Sequence, residues 1–378
     1  MVEPPIRDSA EYLAIPAWRR WIVQFDISHN SICLAFFAFT SMWQTACTHF
    51  NMVALPATIW FILYIISCVL LCVALIIFAI RAVLYPSAYV EDFRHPRLVN
   101  FFYMPVMIGA LLMLTTPPWV RTVAQFKVSF YVLSCYQLAL TLYLYGEWLF
   151  SAHPPSFIHP LVFMQTIGFF LVANIGASAH LNEEAFAMFS VGCVFWLLVF
   201  MTNFQHITPA LDKTRERPQP TFFLFIAPPA QAALSAVLLT LGEGANGDGS
   251  ELVGFPSQWR WPPLARAFSY LDLFLYLLMV RLLPTFWRNK FAISWWAYIF
   301  PLSAAAGMVI CRYSGEGGLF WGVLSAVLGV IASAAMVVVF CCTVWALVSG
   351  RVPRNAAALD GYYKRYYGQR GGAQLEHV

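Results

Sequence analysis

The sequence predicts an all-α polytopic membrane protein: ten transmembrane helices paired as five helical hairpins around a central axis, odd helices inside and even helices outside. Three observations lead there. Apolar residues make up 60% of the 378 positions and charged residues 11%, where soluble domains carry about 45–50% and about 25%. The 22 Lys and Arg plus 18 Asp and Glu are too few to solvate a globule of this length. The second observation is a series of ten apolar windows. The third is the placement of prolines and positive charges along that series. Soluble enzymes, nucleic-acid binders and disordered scaffolds are excluded at this step, and a mean hydropathy of +0.68 makes the lipid bilayer the solvent.

A bilayer core is crossed by about 20 mostly apolar helical residues. Windows of that size fall at 28–48, 57–80, 98–116, 122–145, 157–177, 183–203, 221–241, 264–285, 291–311 and 318–348. The last is long enough to tilt or to extend past the bilayer. Between the spans, 85–97, 204–220 and 242–263 carry Pro, Gly, Asp and Asn and read as turns; GEGANGDGSE within the last reads as an exposed loop. The chain thus divides into a short N-terminal segment (1–27), a ten-helix domain (28–348) and a basic tail (349–378). Residues 1–27 are mixed polar and the first apolar stretch is too long for a signal sequence core.

Orientation follows from Lys and Arg between the spans. With the N-terminus in the cytoplasm, 17 of the 22 positive residues lie inside. Only Arg121, Lys127, Arg260, Arg266 and Arg312 lie outside. Both termini are then cytoplasmic, and an odd number of spans would spoil the asymmetry. Trp21, Trp119, Trp148, Trp259, Trp261 and Trp287 fall near span ends, where an interfacial belt is expected.

Four of the five outward-running spans contain proline: Pro105, Pro160, the pair Pro228–Pro229, and Pro301. The returning spans have none in their interiors. Proline removes a helix hydrogen bond and bends the chain, and lipid offers the freed carbonyl no partner. Helices bent at Pro105, Pro160, Pro228 and Pro301 therefore belong inside, where neighbouring helices or a wet cavity can satisfy the backbone. A ring of such helices encloses a pore or a substrate cavity. Its lining offers Phe, Ser, Thr, Gly, Ala and Asn, with hardly any ionisable group. Small polar side chains and helix ends can replace part of an anion's hydration without holding it tightly.

Asp272 is the main ionisable residue within a span. It serves either a proton-coupled mechanism or a structural hydrogen bond to a neighbouring helix, and the second is favoured. Asn100 and Asn174 read equally as polar lining or as interhelical hydrogen bonds. His95, His159 and His180 stand near span ends without metal-ligand spacing and read as interfacial residues. The nine cysteines form no CxxC pair and read as small buried hydrophobes. No catalytic residue, metal site or cofactor is expected. The tail motif GYYKRYYGQRGG (361–372) reads either as a contact with the anionic inner leaflet or as a disordered tail.

Four motifs resemble one family in the same order: FRHPRLVNFFYMP (93–105), YGEWL (145–149), LFIAPPAQAAL (224–234) and FLYLLMVRLLPTFWRNKFAISWWAYIFPLSAAA (274–306). They resemble the slow-type anion channels and their bacterial relatives, the tellurite-resistance and C4-dicarboxylate transporter proteins, over roughly 85–350. The resemblance implies ten helices in five hairpins with odd helices lining a central pore, and a homotrimer with one pore per protomer. It also implies a phenylalanine before the ninth-helix proline that plugs the pore, which here is Phe300. A second pore phenylalanine in the VNFF motif is Phe101, with Asn100 beside it in the lining. By composition alone Phe300 is one of 33 phenylalanines. The first span lacks the glycines and proline of the family, and Asp272 stands where an apolar residue belongs. Plant guard-cell members carry a long phosphorylated N-terminal tail. About 27 residues precede the first span here, which argues against that mode of control, although a regulatory kinase stays among the candidate partners.

The leading functional expectation is a gated plasma-membrane anion channel for small anions such as chloride or nitrate. The alternative is a proton-linked secondary transporter of malate-like dicarboxylates or sulfite. A membrane enzyme or receptor finds no paired carboxylate and histidine set, no nucleotide loop and no metal cluster in the sequence. Expected partners are small anions and the lipid bilayer, not nucleic acid.

Overall fold

The computed structural model describes residues 22, 25–50, 54–95, 97–150, 159–214, 220–244, 251–255, 259–286 and 291–349. These residues form helices and connecting turns with no strand among them. Ten long helices correspond to the ten apolar windows. The even ones are Thr58–Leu84, Val123–Phe150, Asn182–Thr214, Pro263–Phe286 and Leu319–Val348. The odd ones begin with the α-helix Asn30–His49 and continue with Leu98–Thr115, Pro160–Ser178, Pro220–Gly244 and Ile293–Glu316. Nine are long and apolar enough to cross a membrane. The remaining one, Asn30–His49, has 20 residues, which span about 30 Å, but carries Asn30, Ser31, Thr40, Ser41, Gln44, Thr45 and Thr48. Its reduced hydropathy fits a helix sheltered from lipid: 12 of its residues are buried.

Burial separates the two sets. The third, fifth, seventh and ninth helices have 67%, 100%, 89% and 78% of their apolar windows buried, against 17% to 33% in the even helices. The odd helices pack in a closed cycle: first on third, third on fifth, fifth on seventh, seventh on ninth, and ninth on first. Each even helix packs on the odd helix just before it. Large side chains such as Val69 and Ile76 on the second helix and Leu142 on the fourth stand exposed, as lipid contact requires.

Every odd helix starts with a 3₁₀ segment: Ile27–His29, Leu98–Tyr103, Pro160–Val162, Pro220–Phe225 and Ile293–Tyr298. The prolines sit at these starts. Pro105 lies in the first turn of the α-helix that follows its segment, and Pro160 opens the segment itself. Pro228 and Pro301 are the second and third residues of their α-helices. Proline is tolerated in a first turn, where the missing N–H has no helical partner anyway. The prolines therefore mark a change from 3₁₀ to α winding near one end of each inner helix, instead of a bend at its middle. Among the even helices, Pro284 lies in the final turn of Pro263–Phe286.

Two elements differ from the sequence expectation. The stretch 85–97 contains a nine-residue helix, Pro86–Arg94, and the sixth helix runs on to Thr214 through residues read as a turn. The tail from 350 onward, including GYYKRYYGQRGG, lies outside the described residues, as do 245–250 of the GEGANGDGSE loop. Among the tryptophans, Trp119 is exposed, but Trp261 is buried, stacked on Trp259 at 5.5 Å and facing Arg312. It is a core residue, not part of an interfacial belt.

Helix contacts use small residues where backbones approach. A Cβ on Gly176 of the fifth helix would lie 2.6 Å from the Phe130 ring and 2.9 Å from Ala185 Cβ. The fourth and sixth helices therefore both close on that glycine. The fifth helix ends in a left-handed residue, His180 (φ 59°), after which the Leu181 N–H returns to the Gly176 carbonyl at 2.9 Å. That closes the turn into the sixth helix.

Candidate functional site

The 3₁₀ starts of the five odd helices surround a cavity of about 50 Å³. An enclosed water needs about 10–15 Å³ on this measure, so the cavity has room for a few water-sized occupants. Every odd helix contributes. The first gives Ser28, Ser31 and Leu34; the third gives Arg97, Leu98, Phe101 and Met104; the fifth gives His159, Leu161 and Met164. The seventh gives Thr221 and Leu224, and the ninth gives Ile293, Ser294, Trp296, Ala297 and Phe300. The spacing is the signature of 3₁₀ winding, in which residues three apart eclipse. Leu98 and Phe101 follow it within one 3₁₀ segment, as do Ser294 and Ala297; Met104, Phe300 and the trio Ser28, Ser31 and Leu34 carry the same three-residue step into the α-helices that follow.

Along each odd helix the last residue to touch the cavity is Leu34, Met104, Met164, Leu224 or Phe300. These four apolar chains and one aromatic ring form the collar of the lining that lies farthest along the five helices. Phe300 is 2% exposed and Phe101, one turn nearer the helix start, 6%. The two phenylalanines singled out in the sequence border one cavity, Phe300 in the collar and Phe101 nearer the helix start. Local caps fix three of the starts, those of the first, third and fifth helices. Asp26 accepts from the Ser28 N–H at 3.0 Å. His95 Nδ1 accepts from the Arg97 and Leu98 N–H groups at 3.2 and 3.3 Å. His159 Nδ1 accepts from the Leu161 N–H at 3.3 Å. His95 and His159 are thus capping residues, a role that the repeated His-Pro dipeptides at 95–96 and 159–160 could have signalled.

Asn100 is placed elsewhere. It lines a second cavity of about 40 Å³ with Val99, Tyr103, Leu144, Tyr145, Val162 and Gln165, between the third, fourth and fifth helices. Asn174 bonds across the fifth and seventh helices: its Nδ2 donates to Gln231 Oε1 at 3.4 Å, and its Oδ1 accepts from Ser235 Oγ at 2.6 Å. Asp272 is fully buried, and neither carboxylate oxygen has a hydrogen-bond partner among the described residues. The expected bond to a neighbouring helix is not formed among the described residues.

Behind the first helix start lies a charged cluster that sequence spacing did not indicate. Arg81, at the end of the second helix, donates to Asp92 Oδ2 of the short helix at 2.5 Å, both side chains buried. Asp26 also accepts from His29 Nδ1 at 3.1 Å and is bonded to the Ser28 hydroxyl. Burial pushes the Asp26 carboxyl up, but the hydrogen bonds of His29 and Ser28 and the charges of His29 and Arg81 outweigh it and hold it below the usual range. A carboxylate therefore sits behind Ser28 without lining the cavity itself. On the ninth helix, buried Arg312 is caged by Tyr270 and Trp321 and bonded to Glu316 Oε2 at 3.1 Å.

Residues 24–344 match the family model described as SLAC1, voltage-dependent anion channel. The chain belongs to the SLAC1 family. Among similar proteins, the S-type anion channel SLAH2 of Arabidopsis thaliana is 30% identical over 332 residues, covering 86% of this chain and 59% of that protein. SLAH3 of the same plant is 27% identical over 310 residues, covering 80% and 46%. Its guard cell S-type anion channel SLAC1 is 23% identical over 346 residues, covering 89% and 59%. The chain thus spans about half to three fifths of the length of these relatives. The family, its slow-type anion channel relatives and the polytopic helical fold agree with the sequence resemblance.

Proposed function

We propose that this SLAC1-family protein is a gated anion channel whose pathway follows the axis of the odd-helix ring, with Phe300 as the movable part of the closing collar. The observation that carries the reading is the convergence of all five odd helices on one cavity that ends at Phe300 and four aliphatic side chains. A dry apolar constriction is a barrier to ions, and moving one large ring out of it opens a wetted path. The other four collar residues are flexible aliphatic chains, so the rigid ring is the part whose displacement changes the bore most. The permeant ions are small anions such as chloride and nitrate.

The protein works in the plasma membrane with both termini cytoplasmic, as the charge sorting of 17 to 5 supports. It assembles as a homotrimer with a pore in each protomer and is open to control by a kinase. Residues 28–348 form the channel domain, flanked by the cytoplasmic segments 1–27 and 349–378. Voltage clamp with anion substitution tests this function: replacing external chloride by nitrate should move the reversal potential, and replacing cations should not. A reversal potential that follows the cation gradient would refute it. One observation favours the proton-linked transporter instead, the buried carboxyl of Asp272, which has no hydrogen-bond partner among the described residues. Uptake that saturates, carries no macroscopic current and loses its pH dependence in Asp272→Asn would establish that reading.

A further inference from the structure

We propose that the cavity beneath the collar is an anion-loading site, in which Arg97 and Thr221 hold a small monovalent anion, a halide or a nitrate-sized oxyanion, before it passes Phe300. This deepens the channel reading and rests on it. Three independent features point to anion binding. The first is charge. Among the lining residues Arg97 and His159 are the titratable ones, and none is acidic. The nearby carboxylate of Asp26 is turned to the Ser28 N–H and to His29.

The second feature is an unanswered donor. Thr221 lines the cavity, is 4% exposed, and its hydroxyl has no hydrogen-bond partner among the described residues. A buried hydroxyl left so costs about 1–3 kcal/mol, and an anion within reach relieves that cost. The third feature is backbone. The starts of the first, third and fifth helices are capped by Asp26, His95 and His159. The start of the ninth has no side-chain cap among the described residues, and its first residues, Ile293 and Ser294, line the cavity. Unfilled N–H groups at a helix start favour negative charge. One guanidinium, one hydroxyl and one open helix start make a weak site, which suits an ion that must leave again. They also raise the local anion concentration below the constriction.

Iodide quenching of purified protein in detergent tests the site without needing a current. Trp296 lines the same cavity, so the part of the quenching lost in Trp296→Phe reports iodide there. In Arg97→Gln the iodide concentration for half of that quenching should rise about three- to tenfold, the equivalent of up to about 1.4 kcal/mol. Arg97→Lys should lie between, and Thr221→Val, which keeps the side-chain shape, should rise in the same direction. An unchanged midpoint in both Arg97→Gln and Thr221→Val overturns the proposal. The second arm uses inside-out patches of Phe300→Ala. There the half-saturating chloride on the face where the odd helices start should rise by a similar factor in Arg97→Gln, with the opposite face unaffected. Current without either shift removes the loading site and leaves the channel. Shifted quenching in a protein that passes no anion current under any condition removes the channel and leaves a binding site.

Discussion

Replacing Asp92 by Asn should destabilise the protein far more than a surface ion pair would suggest. The Arg81 guanidinium is 1% exposed and Asp92 2%, their N···O distance is 2.5 Å, and the Arg81 Cζ lies 5.3 Å from the centroid of the Tyr89 ring. Removing Asp92's charge leaves the buried guanidinium without its hydrogen-bonded carboxylate, a loss of about 3–5 kcal/mol, or roughly two to three and a half decades in the folded-to-unfolded ratio. Replacing both, as in Arg81→Met with Asp92→Leu, removes the desolvation cost along with the attraction and should return stability to within about 1–2 kcal/mol of the parent. The assay is denaturant unfolding in detergent micelles, arranged as a double-mutant cycle. A loss below about 1 kcal/mol in Asp92→Asn, or a double variant that costs the sum of the two singles, would refute the reasoning. The pair ties the end of the second helix to Pro86–Arg94, close enough to Asp26 that Arg81 helps hold that carboxyl ionised.

Other variants probe the ring and its starts. Gly176→Ala puts a methyl 2.6 Å from Phe130 and should cost about 1–3 kcal/mol by overpacking, read as a lower unfolding temperature; an unchanged temperature would contradict the packing. Asp272→Leu replaces a buried carboxyl without a hydrogen-bond partner among the described residues by an apolar side chain of similar size and should leave stability equal or higher, with anion current unaltered; a large loss would mean that the carboxyl has a role in packing. Asp26→Ala removes the cap of the first 3₁₀ segment at a cost of about 1 kcal/mol. Because the folded Asp26 carboxyl titrates below its ordinary value, its contribution is full at neutral pH and fades as pH falls below about 4. The gap between parent and Asp26→Ala should therefore close in acid unfolding curves, and a constant gap would argue against an ionised Asp26.

The ten spans were legible because lipid-facing helices need sustained apolar runs, and even the sheltered first helix kept enough of one in CLAFFAF to be found. The inner and outer sets were legible through proline, although the reason differed: Pro105, Pro160, Pro228 and Pro301 tolerate a helix start and mark where the winding changes. Hydropathy cannot register that change, since a 3₁₀ turn and an α turn bury equally apolar side chains. The consequence falls on the site. Adjacent residues of a 3₁₀ segment point about a third of a turn apart, so Phe101 joins Leu98 and Met104 on the axial cavity while Asn100 joins Tyr103 on the cavity behind it. Sequence neighbours grouped by motif were separated by winding. The Arg81–Asp92 pair was illegible because Pro86 and the charges around it read as a turn, and only the fold brings that turn beneath the second helix.

Phe300 is the proposed gate. Its truncation in Phe300→Ala removes the one rigid ring from a collar otherwise made of Leu34, Met104, Met164 and Leu224. Two-electrode voltage clamp of oocytes expressing equal surface amounts of parent and Phe300→Ala, with chloride and nitrate in turn as the permeant ion, measures the result. If Phe300 plugs the pore, Phe300→Ala carries a several-fold larger anion current with the anion reversal potential retained. Unchanged current at matched surface expression would contradict it.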